Sequence, residues 1–481
     1  MKHRSGSPIA ACVGAAIMFA CALVFPTARA AVFDPKTFTL DNGLQVVLVE
    51  NHSVPAVVQM LWYKVGSADE PRGKSGIAHF LEHLMFKGTE AVPAGEFSKI
   101  VAQHGGRDNA FTTRDYTGYY QVVAADRLGL VMEMEADRMA NLRLTDELVL
   151  PERDVILEER RSRIDNSPAA QLGEAMNAAL YLHHPYRLPV IGWESEIAAL
   201  GTDDALAFYE QHYAPNNAIL VVAGDVTLEE LRPLVEKHYG PLEPRDVPPR
   251  VRTQEPPHLA ARRVVLRSDQ VREPSWRRSY LAPSYTYGDM ADPYALQVLS
   301  ELLGGGPTSR LHRSVVLDER VGAAAGSWYD PNAVDMSTFG IYGVPRQGQT
   351  LEAVEAAVEQ VLANLVREGV TEEEVAAAKQ RLQAAAIFAR DSLQTGARVL
   401  GEALVTGRTI EDVESWPERI AAVTVDEVET AARAVFKEER SVTGLLLPDP
   451  APAPVAEADP ATPAPAPIQT PPPSTPAGRG S

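Results

Sequence analysis

Gly76-Ile77-Ala78-His79-Phe80-Leu81-Glu82-His83-Leu84-Met85-Phe86 is the stretch from which the rest of the chain can be read. Ile77, Phe80, Leu81, Leu84 and Met85 recur at helical spacing and supply apolar faces, so the segment reads as an amphipathic helix. At about 100° per residue, positions 79, 82 and 83 share one arc of roughly 100°. His79 and His83, four apart, can grip one Zn²⁺, and Glu82 then stands beside the metal as a proton acceptor for its water.

An open zinc site needs a third protein ligand. The only cysteines are Cys12 and Cys21, both in the leader, so a carboxylate is favoured. Downstream, Pro151-Glu152-Arg153-Asp154-Val155-Ile156-Leu157-Glu158-Glu159-Arg160-Arg161 is an acid-rich helical pattern. Periodicity alone leaves Glu152, Glu158 and Glu159 all open as the ligand.

Outward from these helices, both ends lie outside the expected fold. Lys2, His3 and Arg4 precede an apolar run from Ile9 to Phe25, followed by Ala28-Arg29-Ala30. This reads as a secretory signal peptide, residues 1–30, cleaved after Ala30. An uncleaved anchor and a lipoprotein through Cys21 are the competing readings. The expected location is periplasmic or secreted, with no membrane attachment after cleavage. At the far end, residues 448–481 are dominated by Pro, Ala, Thr and Ser and read as a disordered tail.

The body between them is too long for one core: the chain has 481 residues, 45% apolar and 23% charged. Formal net charge is −19. Removal of the leader takes three bases and no acids, leaving 42 bases against 64 acids, or −22. Such a surface disfavours nucleic acid and anionic membranes as partners. It leans weakly toward basic peptides, although the sign inside a cavity cannot be read from a total.

Strand signals at 37–40, 44–49 and 57–65 open the body, with a turn at Asp41-Asn42-Gly43. Helices are predicted at 76–86, 94–104, 126–142 and 146–164, with strands at 109–112 and 119–124 between them. Thr202 is expected to cap a helix to Tyr213, before a strand at 218–222 and a helix at 228–239. The Pro-rich stretch 241–258 reads as a linker. Beyond it the order recurs: strands at 263–267 and 276–282, helices at 293–303, 351–367 and 371–406, then a helix 424–436 and strand 441–447. The expected architecture is α+β, two homologous domains at 31–240 and 259–447, each a mostly antiparallel sheet packed with helices.

These motifs together resemble the pitrilysin/insulinase family of zinc metallopeptidases, the inverzincins, over roughly residues 33–447. Within it the chain is most similar to half-length members related to the mitochondrial processing peptidase β-subunit. The V-I-L-x-E context of that branch matches Val155-Ile156-Leu157-Glu158-Glu159 and implies Glu159 as third ligand. Glu152, seven residues earlier, would support a ligand or the water. The run Gly105-Gly106-Arg107-Asp108-Asn109-Ala110-Phe111-Thr112 through Tyr119 matches the family's substrate-pairing strand, which implies substrate contacts from Asn109, Ala110 and Phe111. His184-Pro185-Tyr186, Tyr213 to Ala218 and Gly304 to Leu311 are also family-like.

The resemblance implies an exported zinc endopeptidase acting on peptides or unfolded segments, with one Zn²⁺ held by His79, His83 and Glu159 and with Glu82 as general base. The clamshell of the family implies a partner, either a homologous chain without the motif or a second copy. Near Glu301 no histidines recur, so one metal site per chain is expected. Arg320 matches a substrate-holding arginine, but alanines 323–325 stand where the family often has a tyrosine. A non-catalytic or weakly active subunit of a two-chain assembly is the alternative.

Overall fold

The computed structural model describes residues 32–288, 292–390 and 392–449. The expected leader and the tail from 450 onward lie outside the described residues. Among these, no helix is long and apolar enough to cross a membrane.

The first half is built on a six-stranded sheet: β1 (Lys36–Thr39), β2 (Gln45–Glu50), β3 (Ala56–Tyr63), β4 (Arg107–Thr112), β5 (Thr117–Ala124) and β6 (Ala218–Gly224), in the order β1-β2-β6-β3-β5-β4. Only β2 and β6 run parallel. The second half carries β7 (Arg262–Ser268), β8 (Ser275–Ala282), β9 (Gly322–Tyr329), β10 (Ser337–Pro345) and β11 (Ser441–Pro448), ordered β7-β11-β8-β10-β9. Here too the single parallel pair is β7 with β11. Strand for strand the second sheet repeats the first without β1, so the repeat seen in sequence is a repeat of topology.

Five helices of the first half concern the site: α1 (Ile77–Leu84), α2 (Glu96–Gln103), α3 (Leu128–Asn141), α4 (Asp146–Arg160) and α5 (Pro168–Leu180). Helices α1 to α4 bury Ile77, Phe80, Leu81, Val101, Val131, Met132 and Ile156 against one face of the first sheet. The opposite face is covered from elsewhere in the chain. The helix Leu393–Val405 lays Ala397, Leu400 and Ala403 on Met60, Trp62 and Val221. It comes so close that a Cβ at Gly401 would sit 2.2 Å from the Trp62 ring. Reciprocally, α5 leaves the first half and packs Leu172, Met176 and Leu180 on Val442 and Leu446 of the second sheet. Each sheet is thus closed by a helix of the other half.

This exchange explains where the sequence reading departs from the structure. The predicted helix 371–406 is two helices, Glu372–Ala389 and Leu393–Val405. Its first part buries Val375 and Ala378 in the second core and its second part serves the first sheet, which one straight rod cannot do. Helix α5 and strands β9 and β10 were not anticipated. Thr202 does not cap its helix: Gly201 does, its N–H bonded to Asp204 Oδ2 at 3.1 Å, while the Thr202 hydroxyl donates to Asp146 at 2.5 Å. The 241–258 stretch has no regular structure but is pinned. The Arg252 side chain is only 5% exposed and is ion-paired with Asp69 (2.9 Å), Asp115 and Asp335 (3.1 Å), tying both halves.

Beneath α1 lies a second buried pair. Glu135 and Arg138 on α3 join through two bonds of 2.8 and 2.7 Å, and Gln121 donates to Glu135 at 2.8 Å. The guanidinium lies 4.2 Å from the Phe97 ring centre and 4.5 Å from that of Tyr119. Glu135→Ala would strand this cation in an apolar core, so it is expected to destabilise the chain by about 3–5 kcal/mol. Urea unfolding of the variant measures this; a loss under about 1 kcal/mol would show that water reaches Arg138.

Candidate metal centre

Helix α1 is fixed at its start from two sides. Glu70 accepts from the backbone N–H groups of Gly76 and Ala78, both at 3.0 Å, satisfying donors that a helix N-terminus leaves open. Gly76 has φ +90°, and a Cβ there would meet the Ile191 carbonyl at 2.5 Å. The 191–192 loop therefore presses on the helix, and only glycine lets it. With Phe80, Leu81 and Leu84 in the core, His79, Glu82 and His83 turn toward β4 and α4.

Helix α4 brings the acids. His83 Nε2 lies 3.3 Å and His79 Nε2 3.8 Å from the same oxygen, Glu159 Oε2. One donor atom from each of these three residues can be chosen so that all lie within 4.8 Å of one another. A tetrahedral ion with bonds of about 2.1 Å holds its ligand atoms about 3.4 Å apart, so two imidazoles and one carboxylate fit a zinc ion here. Glu152 is turned to the other nitrogen of His83, Nδ1, at 2.9 Å, and also pairs with Lys87. Glu158 points away: its side chain is 72% exposed and meets Arg161 at 3.4 Å. The other Glu159 oxygen pairs with Arg163 at 2.7 Å.

After Glu159, α4 widens into a π turn, Arg161–Asp165. Arg160, at the last position of α4, is buried. It donates to the Gly192 carbonyl at 2.8 Å and to both Glu174 oxygens on α5 at 2.9 Å. This clasp holds the end of α4 against the same loop that fixes α1, so the two ligand-bearing helices share one anchor.

Electrostatics follow from burial. Desolvation pushes the His79 imidazole down to about 3, with the neighbouring His83 and Arg163 adding to the effect, so it is neutral at physiological pH. A neutral imidazole is the state that binds metal. Burial also pushes the Glu82 carboxyl up, although the Thr112 hydroxyl, 2.5 Å from its Oε2, works the other way. For His83 burial opposes the cation, but the Glu152 bond and the charges of Glu159 and Glu82 outweigh it and raise the group.

The centre opens into a cavity of about 1170 Å³. One wall is β4, an edge strand bonded only to β5, and Asn109, Ala110, Phe111 and Thr112 all line it. Asn109 Oδ1 accepts from the N–H of Ala110 at 2.9 Å. Of the residues singled out in the sequence, the structure brings together His79, Glu82, His83, Glu152, Glu159 and Asn109–Phe111. Arg320 stands apart, exposed at the approach to β9 with φ 58°, and is not among the cavity residues. Three contributors escaped the sequence reading: Thr112, Arg160 and Arg114. Thr112 and Arg114 lie within the quoted strand motif and Arg160 within the quoted acid-rich helix, each in a run read for other residues.

Comparison with known proteins identifies the family. Residues 45–193 match the model described as "Insulinase (Peptidase family M16)", and residues 199–382 match "Peptidase M16 inactive domain". The chain is 33% identical to "Zinc protease PqqE" of Helicobacter pylori, over 86% of this chain and 93% of that one. It is 25% identical to "Probable mitochondrial-processing peptidase subunit beta, mitochondrial" of Arabidopsis thaliana, over 86% and 78%. A crystal structure of a protease from Helicobacter pylori superposes with a TM-score of 0.80 at 33% identity, covering 86% of this chain and 99% of the other.

Proposed function

This chain belongs to the insulinase family, peptidase family M16, and from that membership we propose that it is an exported zinc-dependent endopeptidase for peptides or unfolded segments. The observation that carries the reading is the convergence of His79, His83 and Glu159 beside Glu82, in a cavity walled by an open strand edge.

His79 and His83 would hold the zinc through Nε2 and Glu159 through a carboxylate oxygen. Zinc bound there supplies a Lewis acid that lowers the pKa of water and polarises a carbonyl. Glu152 holds the Nδ1–H of His83 and so keeps its Nε2 free of a proton and correctly turned. Glu82, steadied at Oε2 by Thr112, accepts the proton of the attacking water at Oε1 and returns it to the leaving amine nitrogen. An extended peptide adds to the free edge of β4, beside Asn109, Ala110 and Phe111, through main-chain bonds.

The chain works as one half of an enclosure completed by a second one, a homologue without the motif or another copy. Arg320, which stands outside the cavity of its own chain, would serve only across such an enclosure. A cleaved leader at residues 1–30 would send the protein to the periplasm or outside the cell.

Purified protein is stripped with chelator, reloaded with zinc, and assayed on unstructured peptides alone and with a motif-less homologue, with light scattering alongside. Zinc-restored hydrolysis by a two-chain particle is expected. No hydrolysis at any zinc level, with or without the second chain, would leave only the subunit role. A fully active monomer would remove the enclosure.

A further inference from the structure

The cavity beside the metal centre has an unequal distribution of charge. Three of its four acids are ion-paired: Glu159 holds Arg163, Glu174 holds Arg160 and Glu158 meets Arg161, while Glu82 at the metal centre accepts from the Thr112 hydroxyl. Two of its cations, Arg114 and Arg187, have no ion pair among the described residues. A chain of formal net charge −19 therefore presents unpaired positive charge to this cavity at Arg114 and Arg187.

Arg114 is the better placed of the two. It follows Thr112, the residue that steadies Glu82, by two positions, so it marks the point where a peptide paired with β4 passes the reacting centre. Its guanidinium lies 5.3 Å from the Tyr186 ring centre and 5.8 Å from that of Tyr181. Both rings are buried and held by their hydroxyls, Tyr186 to Asp115 at 2.6 Å and Tyr181 to the Met336 carbonyl at 3.2 Å. A guanidinium lying on rigid rings is oriented through its face and keeps its N–H edge for a ligand. The acid next in sequence, Asp115, cannot quench it, being bound by Arg252 and Tyr186.

We propose that Arg114 receives a carboxylate of the bound peptide, with Arg187 adding to the field, so that this site selects acidic peptides. The inference rests on the peptidase reading above and reverses the lean toward basic peptides that net charge suggests. A planar guanidinium and a carboxylate can form two parallel bonds, which fixes the register of the peptide as well as attracting it.

The test uses zinc-loaded full-length protein and a fluorogenic peptide series. One Asp is walked through an otherwise neutral sequence, with matched Asn and Lys peptides and with free or amidated C-termini. At one position kcat/KM for Asp should exceed that for Asn by about 10-fold or more, the worth of a charge-assisted bond. The Asp/Asn ratio should collapse toward one in Arg114→Gln and invert in favour of Lys in Arg114→Glu. A preference surviving amidation assigns the carboxylate to a side chain, and one abolished by it assigns the C-terminus. Anisotropy of the same labelled peptides on zinc-loaded Glu82→Gln protein, with and without the Arg114 changes, reads binding without turnover. Absence of turnover in the unaltered protein would overturn the peptidase reading, while the binding ratio still decides this one. Equal binding of Asp, Asn and Lys peptides, or a preference unchanged in Arg114→Gln, overturns it.

Discussion

Glu82→Gln is expected to keep its full complement of zinc and to lose peptide hydrolysis by about 10²–10⁴-fold, the contribution of a positioned acid–base group. The residue stands between two candidate ligands in sequence, yet its carboxylate is not part of the convergent set of donor atoms. Its contact is instead the Thr112 hydroxyl at the end of β4. Burial lifts its carboxyl above the ordinary carboxylate range. A raised carboxyl is a stronger base toward water and lies nearer the operating pH, where one group can both take up a proton and give it back. The amide of Gln keeps the size and a bond to Thr112 and removes only the proton-carrying function. Metal content by atomic absorption and kcat/KM on one peptide are measured together. Near-normal hydrolysis would discard Glu82 as the base, and loss of zinc would move it into the ligand set.

Glu159→Gln should have the opposite signature, with metal lost first and activity lost as a consequence. A group that only supports a ligand costs about 10–100-fold in metal affinity when removed, and a bonded carboxylate costs more. Glu159 Oε2 is the atom on which both Nε2 atoms converge, at 3.3 and 3.8 Å. Neutralising it leaves two imidazoles, too few for a closed set of three. Glu158→Gln is the internal control, since that side chain is 72% exposed, meets Arg161 and lies outside the convergent set of donor atoms. It should retain zinc. Full occupancy in Glu159→Gln, with binding unimpaired in a chelator competition, would transfer the role to Glu152 or Glu158. Glu152 would then have to leave both His83 Nδ1 and Lys87.

The features of this protein that depend on local geometry are legible in its residues alone. His79, Glu82 and His83 share a helix face because 3.6 residues per turn put them there, whatever surrounds the helix. The capped and alternating segments foretold most strands, and the recurrence of their order foretold two sheets of one topology. What the sequence left open was set by contacts between elements far apart in the chain. Glu152 and Glu159 lie seven residues apart on one face of α4, so periodicity cannot separate them. They differ by about 10 Å in height along the axis. Only the depth at which α4 docks on α1, fixed by the Arg160 clasp to Gly192 and Glu174, puts Glu159 level with the two imidazoles. The break in the 371–406 helix was hidden for a related reason: its two parts are each good helix, and the bend exists because two different sheets need covering. The sign of the cavity was equally out of reach. Net charge is a sum over the whole surface, whereas the charge a peptide meets depends on which arginines fold inward without an acid beside them.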